Sequence, residues 1–163
     1  MIDPLSIRPA TPDDRPLLRH AIAELQDYER GQHATRLPGQ RIADDYLAWM
    51  LRKADATGAV LVAEIGERFA GFVAGWVEEA ENIGETPDSN RFGLISDVFV
   101  LPEFRGRRIA ARLIQEMERQ LKQTGIRRLR VNALAVYASA RRSYEHAGFA
   151  PYEVMYEKQV GNE

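Results

Sequence analysis

Along the first third of the chain apolar residues recur at intervals of three and four, and from Ala59 onward the rhythm changes to alternating and near-continuous runs. A short apolar stretch at residues 5–8 reads as a strand. Leu17, Leu18, Ala21, Ile22, Leu25 and Tyr28 then fall on one stripe, which predicts an amphipathic helix over residues 12–29. Thr11 stands as its N-cap with Pro12 at the first helical position, and Gly31 ends it. Pro38 and Gly39 mark residues 31–40 as a loop. Tyr46, Leu47, Met50 and Leu51 share one face of a second helix over 41–56, with Gly58 as its stop.

The next two runs, AVLVAEI (59–65) and RFAGFVAGWVE (68–78), read as strands joined by a tight turn at Gly66-Glu67. Residues 79–90, acidic and containing Gly84 and Pro87, read as a mobile connection. A third strand over 92–101 breaks at Pro102, passes an arginine-rich turn and leads into a helix carrying Ile109, Leu113, Met117 and Leu121 on one stripe. Gly125 stops that helix. A strand over 127–134, a short helix over 138–146 and a final strand over 150–158 complete the pattern. With no repeat, heptad or linker in the sequence, residues 1–163 are expected to form one α/β domain.

Composition narrows the chemistry mainly by exclusion. There are no cysteines, so disulfides, thiolate metal sites and cysteine nucleophiles drop out. The three histidines have no metal-ligand spacing, and Ser139 and Ser143 have no His-Asp partners in view. No stretch approaches a membrane span and the start lacks the pattern of a signal peptide, so the expectation is a cytoplasmic protein with no membrane partner. Charge is more informative. The total is −2, yet residues 105–130 hold nine basic and two acidic side chains, a local +7 that leaves −9 for the remainder. A strand, an arginine-rich turn and a helix start together favour an anion, because the first helical N–H groups are unpaired and the helix dipole is positive there. Without a nucleic-acid-binding motif or an aromatic platform, and with the rest of the chain acidic, nucleic acid is not the expected polyanion.

ISDVFVLPEFRGRRIAARLI followed by LRVNALAVYASARRSYEHAGF resembles the GNAT superfamily of acyl-CoA-dependent N-acyltransferases. The family's loop pattern is Arg or Gln, two free positions, Gly, one free position, then Gly or Ala; its short helix ends in Tyr-Glu-x-x-Gly-Phe, here Tyr144 to Phe149. The resemblance implies a mixed, mostly antiparallel central sheet flanked by helices, and acetyl transfer from acetyl-CoA to a primary amine without a metal. By the same resemblance Arg105, Gly106, Arg107, Arg108, Ile109 and Ala110 hold the pyrophosphate, Phe99 and Val100 lie along the pantetheine arm, and Tyr144 protonates the leaving thiolate. A phenol suits that last task because it stays protonated near neutral pH. Two positions depart from the pattern. Arg108 stands where the family has glycine, which would adopt positive φ at little cost. Tyr137 stands where relatives often have asparagine.

For the base the residues leave a choice. Asp97 is an acid in an otherwise apolar strand, an uncommon place for a packing residue, and it is the first candidate to orient or deprotonate the amine. Glu78 and Glu79 are alternatives for holding a cationic substrate, and a water chain is a third acceptor for the proton. Trp76, on the same strand as Glu78, is a candidate wall of the acceptor site. The acidity of residues 78–90 and the resemblance of YERGQH (28–33) to the polyamine and diamine acetyltransferase branch favour a small cationic amine. The family's frequent dimers imply a homodimer with the C-terminal strand as contact. The rival expectation is a non-catalytic acyl-CoA-binding regulatory module, favoured by Arg108 and Tyr137.

Overall fold

A computed structural model of the chain describes residues 3–161. The strands are β1 (Leu5–Pro9), β2 (Ala59–Ile65), β3 (Arg68–Glu79), β4 (Arg91–Val100) and β5 (Leu129–Val131). The helices are α1 (Arg15–Arg30), α2 (Gly39–Thr57), the single turn α3 (Pro87–Asn90), α4 (Ile109–Lys122) and α5 (Ala138–His146). The sheet order is β1-β2-β3-β4-β5. β1 to β4 pair antiparallel with one another, and β5 runs parallel to β4. The expected mixed, mostly antiparallel sheet is therefore present.

Two apolar cores flank this sheet. On one face α1 and α2 contribute Leu18, Ile22, Leu47 and Met50, packed on Val62, Phe72, Trp76 and Phe99. On the other α4 contributes Ile109, Leu113, Met117 and Leu121, packed on Leu61, Val73 and Ile95. The central strand β3 is covered on both sides, which is why its sequence runs apolar without alternation. Gly66 takes φ +65° in the β2–β3 turn, a conformation that suits glycine. Among the described residues no helix is long and apolar enough to cross a membrane.

Several expected boundaries move. The N-terminal helix opens as a 3-10 turn at Pro12–Asp14, where buried Asp14 accepts the Thr11 N–H at 2.7 Å and pairs with Arg8. The second helix starts two residues early because Asp27 Oδ1 accepts the Gly39 N–H at 2.6 Å. A Cβ at position 39 would lie 2.1 Å from the Ala23 carbonyl oxygen, so α2 can begin against α1 only with glycine there. The connection over 79–90 is tied together rather than loose: the Asn90 side chain joins both backbone groups of Asn82, at 3.1 and 2.9 Å, and residues 87–90 form α3. The strand expected over 127–134 shrinks to three residues. The strand expected over 150–158 does not form; this segment has no ladder partner and is exposed throughout.

Candidate active site

The site is created by a divergence in the sheet. Strand β4 pairs with β5 only at Gly93, Leu94 and Ile95, whereas its pairing with β3 continues to Val100. From Ser96 onward the β5 side of β4 is therefore free of ladder partners. A register shift between Ala74 and Gly75 leaves Ser96 as an extra residue on β4, and such a bulge bends and twists a strand. The side chains of Phe99 and Val100 are buried in the two cores, so what these residues offer a ligand is backbone.

Where β4 ends, the chain makes a 3-10 turn at Pro102–Phe104 and enters α4. The first intrahelical bond runs from the Arg112 N–H to the Arg108 carbonyl, at 3.1 Å. Helix geometry leaves the N–H groups of Ile109, Ala110 and Ala111 without intrahelical partners, and those of Gly106, Arg107 and Arg108 make no backbone bond among the described residues. Gly106 (φ +77°) and Arg108 (φ +60°, ψ +20°) both take left-handed conformations. Arg108 is thus in the glycine-type conformation in spite of its side chain, and it is the one non-glycine residue of positive φ among the described residues. Arg105 turns inward: its Nε donates to the Val100 carbonyl at 3.0 Å and its guanidinium lies over the Phe99 ring, 5.5 Å from the centroid. The loop over 105–110 can therefore receive an anion, with Arg105 fastening it to the strand and Arg107 and Arg108 exposed.

Asp97 faces the α1/α2 side, as the alternation from buried Phe99 requires. Tyr46 on α2 donates its hydroxyl to the carboxylate, 2.9 Å from each oxygen, and Ser96 donates to Oδ2 at 2.7 Å. Burial pushes the Asp97 carboxyl above its ordinary range, and the Ser96 and Tyr46 hydrogen bonds partly restrain the shift. Tyr144, on α5, approaches from the α4 side, packed partly against the second core and edge-on to Phe149 at 6.1 Å. Its hydroxyl makes no hydrogen bond to a described residue. Burial, and then the charges of neighbouring Tyr137, Asp97 and Glu29, push it well above the ordinary phenol range, so it remains a proton donor at neutral pH. Asp97 and Tyr144 thus belong to opposite faces of the sheet and come within electrostatic reach of each other beside the gap between β4 and β5.

Other residues join this place that the sequence alone does not assign. Glu29, near the end of α1, adds its negative charge to the surroundings of Tyr46, Asp97, Tyr137 and Tyr144. Tyr28 stacks on Tyr137 with centroids 4.8 Å apart, so the position that departs from the family's asparagine builds an aromatic wall between α1 and α5. The available signal was a tyrosine on each amphipathic stripe, Tyr28 and Tyr46, opposite a lone strand aspartate.

Two expected substrate residues are not part of this group. Trp76 has no exposed surface, because β3 is covered on both faces, and its indole N–H donates to Glu78 Oε1 at 2.6 Å. Glu78 also pairs with Lys53 at 2.7 Å and sits level with Phe92, toward the opposite end of β4 from Asp97. Trp76 and Glu78 form a closed structural unit rather than an acceptor wall. A separate surface groove of about 910 Å³, lined by residues including Pro12, Arg15, Arg19 and Asp44, contains none of the site groups.

A parallel strand pair that splays beside a helix start with unpaired N–H groups, with a phenol and a carboxylate on either side of the gap, is the arrangement that the sequence resemblance implies. The family model described as Acetyltransferase (GNAT) family matches residues 19–149. An uncharacterized N-acetyltransferase of Archaeoglobus fulgidus is 31% identical over 147 residues, covering 83% of this chain and 90% of its own. Among solved structures, a GCN5-related N-acetyltransferase from Ralstonia eutropha superposes with TM-score 0.76 at 23% identity over 97% of this chain and 100% of its own. A predicted acetyltransferase from Clostridium acetobutylicum, crystallised with acetyl-CoA, gives 0.73 at 20% identity over 96% of each chain. The chain belongs to the GNAT family and is an acyl-CoA-dependent N-acetyltransferase.

Proposed function

We propose that the protein transfers the acetyl group of acetyl-CoA directly to a small cationic primary amine held beside it. The observation that carries this is the convergence of Asp97 and Tyr144 at the gap between β4 and β5, next to the loop over 105–110. Unpaired N–H groups of residues 106–111 and the guanidinium groups of Arg107 and Arg108 receive the pyrophosphate, and the pantetheine arm lies along Phe99 and Val100, on the edge of β4 that β5 leaves uncovered. Asp97 orients the amine and takes its proton. The neutral nitrogen then attacks the acetyl carbonyl, the C–N bond forms and the C–S bond breaks; the Tyr144 hydroxyl supplies a proton to the departing sulfur, and the proton that the nitrogen sheds on becoming an amide passes through water to restore the phenol. Asp97, Glu29 and the tyrosines around them favour a cation over an anion.

The same reading includes a homodimer and a cytoplasmic setting. Tyr152, Val154, Met155, Tyr156 and Val160 are all more than half exposed on a segment without a ladder partner, and β5 is a sheet edge. Pairing of that segment across a two-fold axis would cover both. Sedimentation of the full chain and of a chain ending at Phe149 tests it: a monomeric full chain, or a dimer that survives truncation, removes this contact.

Catalysis is tested by thiol release from acetyl-CoA over a panel of amines including 1,4-diaminobutane, spermidine, lysine and butylamine. Turnover greatest with diamines or polyamines is the expected result. Acetyl-CoA binding with no turnover on any amine would instead support a regulatory acyl-CoA-binding module.

A further inference from the structure

One partly exposed ion pair joins the end of α1 to the loop that follows it. Glu29 is held by Arg36, from the loop between α1 and α2, through a single contact of Nε to Oε2 at 2.9 Å. Among the described residues the only other side-chain bond of that guanidinium is a long one, Nη1 to Thr35 Oγ1 at 3.4 Å. The pair is thus a one-point contact like Arg128 to Asp88 at 3.0 Å, and not a two-nitrogen grip like that of Arg19 on Asp44 at 2.6 and 3.0 Å. The Arg36 and Glu29 side chains remain 36% and 26% exposed, so theirs is the weak, exchangeable kind of pair. The loop does not depend on it for its anchorage. Asp27 holds the Gly39 N–H at 2.6 Å, and the Gln26 side chain holds the Leu37 carbonyl at 3.0 Å. The Arg36 head can therefore swing away while both ends of the loop stay in place.

Arg36 is a tethered cation on the carboxylate that lies beside the Tyr28–Tyr137 stack and within electrostatic reach of Asp97. We propose that Arg36 is the internal counter-ion of the acceptor site, displaced from Glu29 by a second positive charge on the incoming amine, and that it sets the discrimination between diamines and monoamines. A monoamine engages Asp97 with its single nitrogen and has no charge left to exchange for the guanidinium. A diamine carries its own replacement. This rests on the amine-acetylation reading above, since it concerns the acceptor side of that same site.

The test compares wild type, Arg36→Gln and Arg36→Lys with spermidine, 1,4-diaminobutane and butylamine at low ionic strength. Removing a competitor of this class lowers KM for the two polyvalent amines by roughly two- to five-fold. Butylamine KM and the KM for acetyl-CoA should move less than the KM of the polyvalent amines, and Arg36→Lys should stay near wild type. In a Glu29→Gln background the Arg36→Gln change should have no effect on KM, which a role in loop structure alone would not produce. A higher KM for the diamine in Arg36→Gln, or equal changes for all three amines, overturns the proposal. If wild type acetylates no amine, the catalytic reading fails separately, and calorimetric titration of spermidine into CoA-saturated wild type and Arg36→Gln still reads the exchange. Tighter binding to the variant supports it; equal, weaker or undetectable binding overturns it.

Discussion

Replacing Arg108 once by glycine and once by alanine separates two effects that share one residue. Its φ of +60° and ψ of +20° lie in the left-handed region, where an L-residue with a Cβ is destabilised by about 1–2 kcal/mol. Alanine at 108 retains that strain. Glycine relieves it but adds about 0.5–1 kcal/mol of chain entropy to the unfolded state. The difference between the variants therefore favours glycine by about 0–1.5 kcal/mol, at most about 6 °C in Tm for a chain of this size. The strain belongs to the start of α4, where Arg112 closes the first helical bond on the Arg108 carbonyl, so it has little influence on affinity. Affinity responds to the guanidinium, which both variants lose. If that group contacts the pyrophosphate, each variant loses a charge-assisted bond of about 1.5–3 kcal/mol, roughly ten- to a hundred-fold in Kd for CoA. Thermal unfolding and calorimetric titration with CoA read the two quantities independently. An alanine variant more stable than the glycine variant would refute the backbone strain, and undiminished CoA affinity in both would refute the phosphate contact.

Three further outcomes follow from the site and from its support. Tyr144→Phe should lower kcat roughly ten- to a thousand-fold with little change in CoA affinity, the usual range for a positioned proton donor; unchanged turnover would remove Tyr144 from the mechanism. Because burial raises the Asp97 carboxyl and the Tyr46 hydroxyl restrains that rise, Tyr46→Phe should move the acidic limb of the kcat/KM profile to higher pH, and an unmoved limb would show that Asp97 is not the titrating base. Asp14, lowered by its bond to Arg8 from 3.8 to about 2, contributes stability that is present above its unfolded value and is lost as pH falls through about 2. Asp14→Asn should accordingly cost on the order of 2 kcal/mol at pH 7, and its deficit against wild type in denaturant unfolding should shrink as pH falls below 4; a deficit independent of pH would show that charge is not what it loses.

The site was legible in the sequence where its function depends on backbone order along the chain. Strand, turn and helix over residues 92–122 could be placed from periodicity and Pro102, and the loop before α4 holds Gly106 and Arg108 at positive φ with its N–H groups unpaired among the described residues. Tyr144 was nameable because its motif is local. Glu29, Tyr28 and Tyr46 were not, since each lies on an amphipathic stripe where an inward tyrosine or a helix-end glutamate is ordinary; their meaning arises only from being brought opposite Asp97. Trp76 and Glu78 show the reverse error. An acidic and an aromatic residue on a strand looked like site chemistry, and coverage of β3 on both faces turned them into a buried indole–carboxylate–lysine unit. The C-terminal segment alternates like a strand, yet a strand needs a ladder partner, and none is available to it among the described residues.

By itself the sequence determined most of the elements up to α5 and the family, because hydrophobic spacing, turn residues and local motifs act over a few residues at a time. The tertiary structure decided where β4 parts from β5, since that depends on the Ser96 bulge and on a β5 only three residues long. It also decided which carboxylates share the opening, because Asp97 and Glu29 acquire their joint surroundings only when α1 and α2 pack on the sheet. Arg108 belongs to both accounts: its departure from glycine is visible in the sequence, and the positive φ that makes the departure costly is visible only in the fold.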